Sequence, residues 1–164
     1  MARPLTKAQK QAILAKLEET YKDTKTALNY NSPFELLVAV ILSAQCTDER
    51  VNVITSRIFP RLNTPEKMGA LTLEEMEAEI RDCGLYHAKA KNLLGTCHML
   101  VERFNSVIPS DIKTLMELPG VGQKTANVVA SIIYNVPAIA VDTHVFRVSH
   151  RLGMAKGADP LATA

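Results

Sequence analysis

The apolar positions of this chain recur at helical spacing almost from end to end. Between Thr6 and Tyr21, Ile13, Leu14 and Leu17 fall on one face and Lys7, Lys10 and Lys16 on the other, which predicts an amphipathic helix with a solvated charged side. Ser32-Pro33-Phe34-Glu35 opens a second helix. Ser32 caps it, Pro33 takes the first helical position, where a missing N–H costs nothing, and Glu35 completes a capping box. This helix, running to Ser43, is apolar nearly all round and predicts a central core element. A third passes through Val51, Ile54 and Ile58 to Pro60, with Asp48 as its cap. Thr64-Pro65-Glu66 starts a short helix, and Thr72-Leu73-Glu74-Glu75 is a capping box for one that reaches Asp82, with Gly84 suited to a left-handed C′ position. Further helices are expected over His87 to Phe104, Thr125 to Tyr134 and Thr143 to Leu152, the last ended by Gly153. Asp159-Pro160 reads as the cap and first turn of one more. Ile139-Ala140-Val141 is too short to found a sheet, so the prediction is an all-α fold of about nine or ten helices, without repeats or low-complexity tracts.

One stretch organises the rest: Leu118-Pro119-Gly120-Val121-Gly122-Gln123-Lys124-Thr125-Ala126-Asn127-Val128-Val129. A short helix over Ile112 to Glu117, entered through Ser110 or Asp111, precedes it, and the helix carrying Ala126, Val129, Ala130 and Ile133 on one face follows. Pro119, Gly120 and Gly122 demand a tight turn between them. Two glycines around one apolar residue let backbone N–H groups point outward unobstructed, at a helix start where those donors lack intrahelical acceptors and the dipole is positive. Such a place binds phosphate. A nucleotide-binding P-loop would need a glycine directly before the lysine and a strand before the loop; here Gln123 precedes Lys124 and the preceding segment is helical. The plainer alternative is a glycine turn joining two core helices, with Lys124 simply solvated. A lysine in the first turn of a helix, however, faces the positive end of the dipole, which favours the neutral, nucleophilic amine. The nearest downstream carboxylate is Asp142, which otherwise reads as an ordinary N-cap.

Composition narrows the setting. The chain has 164 residues, enough for one compact domain or one domain plus part of another, and 47% of them are hydrophobic. A net charge of +2 and a pI of about 8.4 neither require nor exclude a nucleic-acid partner. No apolar run is long enough to span a bilayer, and no signal peptide is recognisable, so no membrane role is expected. Cys46, Cys83 and Cys97 are an odd, widely spaced set without a C-x-x-C, which suggests neither zinc nor a disulfide framework and fits a reducing, cytoplasmic setting.

The central stretch, followed by Val141-Asp142-Thr143-His144-Val145-Phe146-Arg147-Val148, resembles the endonuclease III family of DNA repair glycosylases, members of the helix–hairpin–helix glycosylase superfamily. Ser32-Pro33-Phe34-Glu35-Leu36-Leu37, Leu42-Ser43-Ala44-Gln45-Cys46-Thr47-Asp48 and Gly84-Leu85-Tyr86-His87-Ala88-Lys89-Ala90 extend the resemblance, in the family's order, over nearly the whole chain. The related adenine glycosylases lack a lysine at the position of Lys124, so that lysine points to the lyase branch.

The resemblance implies a six-helix barrel domain at residues 26–136 with a helix–hairpin–helix at about 112–134, flanked by an N-terminal helix (1–25) and a C-terminal part (137–164) that belong to a second helical domain. It implies Lys124 and Asp142 as catalytic residues, and Gln45, Leu85, His87, Gly120, Val121, Gly122 and Thr125 as DNA contacts. Gln45 and Leu85 would fill the space left by an extruded base, while Lys89, Lys91 and Arg103 would add a basic surface nearby. The expected activity is glycosylase and abasic-site lyase action, as a monomer, on double-stranded DNA with an oxidised pyrimidine or an abasic site. The family usually carries a 4Fe–4S cluster on four clustered cysteines whose spacing is absent here, so no cofactor and no metal are expected of these residues, and the helix opening at Asp159 reads as the start of a part cut short. A non-catalytic helix–hairpin–helix binding module and an inactive fragment of the enzyme are the alternatives.

Overall fold

The computed structural model describes residues 4–164. The described residues form ten α-helices and no strand: α1 (Lys7–Tyr21), α2 (Pro33–Ser43), α3 (Asp48–Ile58), α4 (Pro65–Gly69), α5 (Leu73–Glu79), α6 (Tyr86–Phe104), α7 (Ile112–Leu115), α8 (Gln123–Tyr134), α9 (Thr143–Arg151) and α10 (Pro160–Thr163). The all-α expectation holds, and the helices divide between two compact units.

The larger unit, residues 27–139, is built on α2. Every residue from Phe34 to Leu42 is buried, as an all-round apolar helix requires. Fully burying seven side chains of the Phe, Leu, Ile and Val kind contributes on the order of 10–20 kcal/mol before entropy is counted. Helix α2 packs against α3, α6 and α8; α6 in turn takes α4 and α5 against its flank, and α7 packs on α8. Buried Met68, Met76, Leu93, Leu100, Leu115 and Leu118 fill the layers between them. In the second unit, the described residues before 27 join residues 140–164. There α9 packs on α10, and Leu5 lies 3.3 Å from where a Cβ on Gly153 would stand. Helix α1 buries no residue, and Leu14 and Leu17, on the face that periodicity makes apolar, are exposed.

Helix starts follow side-chain chemistry, with two corrections. Thr47, not Asp48, caps α3 by accepting from the Arg50 N–H; Asp48 is the first helical residue. Ser32 accepts from the Glu35 N–H, but Glu35 returns its carboxylate to the Asn31 N–H at 2.6 Å rather than to Ser32, so the box spans one residue more than expected. The Thr72–Glu75 box at α5 forms reciprocally. Eight of the ten helices have a Ser, Thr or Asp side chain on their first-turn N–H groups; α6 and α8 have none.

Candidate functional site

Helix α8 begins at the glycine turn. Val121 N–H donates to the Leu118 carbonyl at 3.1 Å, closing a turn with Pro119 second and Gly120 third. Gly120 has φ +77°, the conformation a type II turn requires at that position. A Cβ there would also sit 2.9 Å from Asn92. The turn is anchored from behind: Thr96, on α6, donates its hydroxyl to the Pro119 carbonyl at 2.8 Å, and Leu118 and Val121 are buried. Gly122 is different. It is the N-cap of α8 with φ −90°, which any residue adopts, and nothing lies within 4 Å of where its Cβ would be. The interior therefore requires glycine at 120 but not at 122.

Lys124 follows as the second residue of α8, exposed, on the uncapped first turn; Thr125 beside it is half-buried. One turn on, buried Asn127 accepts from Gln123 Nε2 at 2.9 Å and donates to the Ile139 carbonyl at 2.9 Å. It thus ties the start of α8 to the segment leading out of the unit. Sequence reading missed Asn127; its signal was a polar residue on the apolar face of a helix, between Ala126 and Val129.

A second cluster lies at the C-terminal end of α2 and the start of α6. Gln45 has φ 53° and Leu85 has φ 60°, two non-glycine residues in the left-handed region. That conformation costs roughly 1–2 kcal/mol for a residue with a side chain. It is Leu85, not Gly84, that turns left-handed here, and it does so as the N-cap of α6. Gly84 serves instead to let the two turns meet, since a Cβ on it would lie 3.1 Å from the Gln45 carbonyl oxygen. Both side chains project outward: Gln45 is exposed and Leu85 is 58% exposed. His87, also exposed, has Nδ1 2.9 Å from a Glu77 carboxylate oxygen and its ring against that of Tyr86. Lys89 overturns expectation. It is 4% exposed and so adds nothing to a basic surface; its Nζ donates to the Leu42 carbonyl at 2.8 Å and to Cys83 Sγ at 3.1 Å.

Asp142 belongs to the second unit, where it caps α9 by accepting from the His144 and Val145 N–H groups, each at 2.9 Å. Both bonds fall on Oδ1, so capping uses a single carboxylate oxygen.

With this geometry, the relatives can be compared. Residues 38–163 match the family model of the HhH-GPD superfamily base excision DNA repair protein. The chain is 47% identical over 153 residues to endonuclease III of Escherichia coli (strain K12), covering 93% of this chain and 72% of that one. It belongs to the endonuclease III family of base-excision DNA glycosylases and abasic-site lyases. Endonuclease III of Bacillus subtilis (strain 168) is 46% identical over 151 residues, covering 92% of this chain and 69% of that one. Among solved structures, a trapped endonuclease III–DNA covalent intermediate superposes with a TM-score of 0.89 at 49% identity, over 97% of this chain and 75% of that one. A non-covalent endonuclease III–DNA complex gives 0.87 at 50% identity, over 94% and 72%. A thermostable thymine-DNA glycosylase, at 20% identity and a TM-score of 0.79 over 87% and 67%, shares the fold.

The 4Fe–4S cluster usual in this family requires four thiolates, and the cysteines present do not fit it. Cys97 is fully buried, and burial pushes its thiol up to about 12. Burial likewise raises Cys83, whose Sγ donates to the Leu42 carbonyl at 3.3 Å. Among the described residues no three His, Cys, Asp or Glu side chains converge on a common point. No helix among the described residues is long and apolar enough to cross a membrane.

Proposed function

We propose that this chain removes oxidised pyrimidines from double-stranded DNA and cleaves the strand on the 3′ side of the resulting site, with Lys124 as nucleophile. The target carbon, C1′ of the deoxyribose, is out of reach inside a duplex, so the nucleotide leaves the stack before reaction. Gly120 and Gly122 present backbone N–H groups to a phosphate near the lesion; Val121, expected to share that contact, spends its own N–H on the Leu118 carbonyl and holds the turn in shape between them, with Thr125 beside them. Gln45, whose amide both donates and accepts, and Leu85, an apolar wedge, occupy the vacated space, and His87 contacts the backbone next to them. The lone pair of the Lys124 amine forms the N–C1′ bond as the C1′–base bond breaks and the base departs with its electron pair. Asp142 stabilises the positive charge that develops on the sugar and takes the proton from the Lys124 nitrogen. Ring opening yields a Schiff base; loss of a C2′ proton then expels the 3′ phosphate by β-elimination. The chain acts as a monomer, and residues 1–25 with 137–164 form part of a second helical domain.

The observation that carries this reading is the exposed lysine on an uncapped helix start, directly after a turn whose second glycine the interior does not require. The test offers the chain duplexes with one oxidised thymine, one uracil, or no lesion. Base release and 3′ cleavage at the oxidised thymine alone are expected. Binding without base release would identify a binding module instead. Asp142→Asn keeps an oxygen for the two cap bonds and should cost little stability, since Asn caps about as well as Asp. Turnover should nevertheless fall about 10²–10³-fold, the usual loss on removing one electrostatic stabiliser. Unchanged turnover would reduce Asp142 to a cap.

A further inference from the structure

Lys89 is the one lysine or arginine among the described residues that is buried, and the mechanism above does not use it. A buried ammonium is costly unless it is hydrogen-bonded, and this one has specific partners. Nζ reaches the Leu42 carbonyl at 2.8 Å, in the last turn of α2, where the dipole favours a cation. It also reaches Cys83 Sγ at 3.1 Å, and that thiol donates to the same Leu42 carbonyl at 3.3 Å. The Lys89 backbone N–H donates to the Leu85 carbonyl at 3.1 Å. One residue therefore grips Leu85 by its main chain and the end of α2, three residues before Gln45, by its side chain. The two turns it joins are already in contact, Gly84 against the Gln45 carbonyl, and each carries a left-handed non-glycine residue. Such conformations persist only where the surroundings over-determine them.

We infer that Lys89 is a positioning residue, a buried clamp that holds Gln45 and Leu85 at a fixed separation so that both enter the base stack together. This rests on the reading that those two side chains insert. An apolar residue of similar size would fill the same space, but it would leave the two turns joined only by the Gly84 contact and the weak Cys83–Leu42 hydrogen bond.

The experiment uses a duplex with an abasic-site analogue opposite 2-aminopurine, whose fluorescence rises when it is unstacked. Binding of the unaltered chain should raise it. Lys89→Met, close in volume, should fold by circular dichroism and lose most of that rise. It should bind the abasic duplex roughly tenfold more weakly, a change of about 1.4 kcal/mol, while intact-duplex affinity stays unchanged. A purely structural lysine would lower the melting temperature and leave the fluorescence rise of the folded variant intact, and that result overturns the inference. Leu85→Ala is measured alongside. If it too keeps the full rise, the insertion reading has failed and the clamp with it; if it loses the rise and folded Lys89→Met does not, the clamp alone is wrong. Should Lys89→Met not fold, Cys83→Ala carries the test, since it removes one of the ammonium's two partners without removing the charge. A partial loss of the rise supports the clamp, and a full rise overturns it.

Discussion

The glycine turn at 119–122 and the paired turns at Gln45 and Leu85 break the same backbone rule in opposite directions. At Gly122 a side chain would fit, with an ordinary φ and open space, yet none is present. At Gln45 and Leu85 glycine would suit the left-handed backbone better, yet large side chains are present and exposed. Neither choice is explained from inside the protein. Each makes sense if the demand comes from outside, as room for a phosphate at the first place and as side chains to fill a gap at the second. Gly120 is the internal control, because φ +77° and the 2.9 Å approach to Asn92 make it a requirement of the fold itself.

Three substitutions can break this contrast. Gly120→Val has the largest expected effect, because a β-branched residue would be forced into the left-handed region and onto Asn92. It should destabilise by roughly 2–5 kcal/mol, as read from chemical denaturation. Gly122→Val should leave stability within about 1 kcal/mol and weaken DNA binding, since a methyl-bearing carbon would stand where a phosphate approaches. Affinity for intact and lesion-bearing duplexes should fall by a similar factor at matched salt, because phosphate contacts carry no base information. A loss confined to lesion DNA would move this turn into the base pocket. Leu85→Gly should change stability least, within about 1 kcal/mol, because relief of the left-handed strain offsets the greater freedom of the unfolded chain. It should still lose affinity for abasic DNA selectively. A large drop in melting temperature would show that Leu85 is there for packing.

Much of this was legible in the sequence because helices announce themselves through period and caps. Thr6, Ser32, Thr64, Thr72, Asp142 and Asp159 all cap where their residue types say they should. The glycine turn was legible because Pro119-Gly120 has few other uses. What period and caps do not carry is partnership between elements distant in sequence. Lys89 looked like a surface base because lysines rarely lie inside, and only the approach of α2, 47 positions earlier, gives its ammonium a carbonyl to hold. Asn127 was hidden for the same reason, its partner being the Ile139 carbonyl beyond the end of its own helix. The α1 stripe is legible as an apolar face, but periodicity alone does not say what covers it.

The central claim is that Lys124 forms the covalent bond to the sugar, and hydride trapping tests it most directly. A Schiff base between lysine and the opened sugar is reduced by borohydride to a stable amine, so reaction in its presence should yield one protein–DNA adduct. Mass spectrometry of the digested adduct should place it on Lys124, and Lys124→Gln should give no adduct while still binding abasic DNA. An adduct mapped to any other residue of a correctly folded chain would contradict the account.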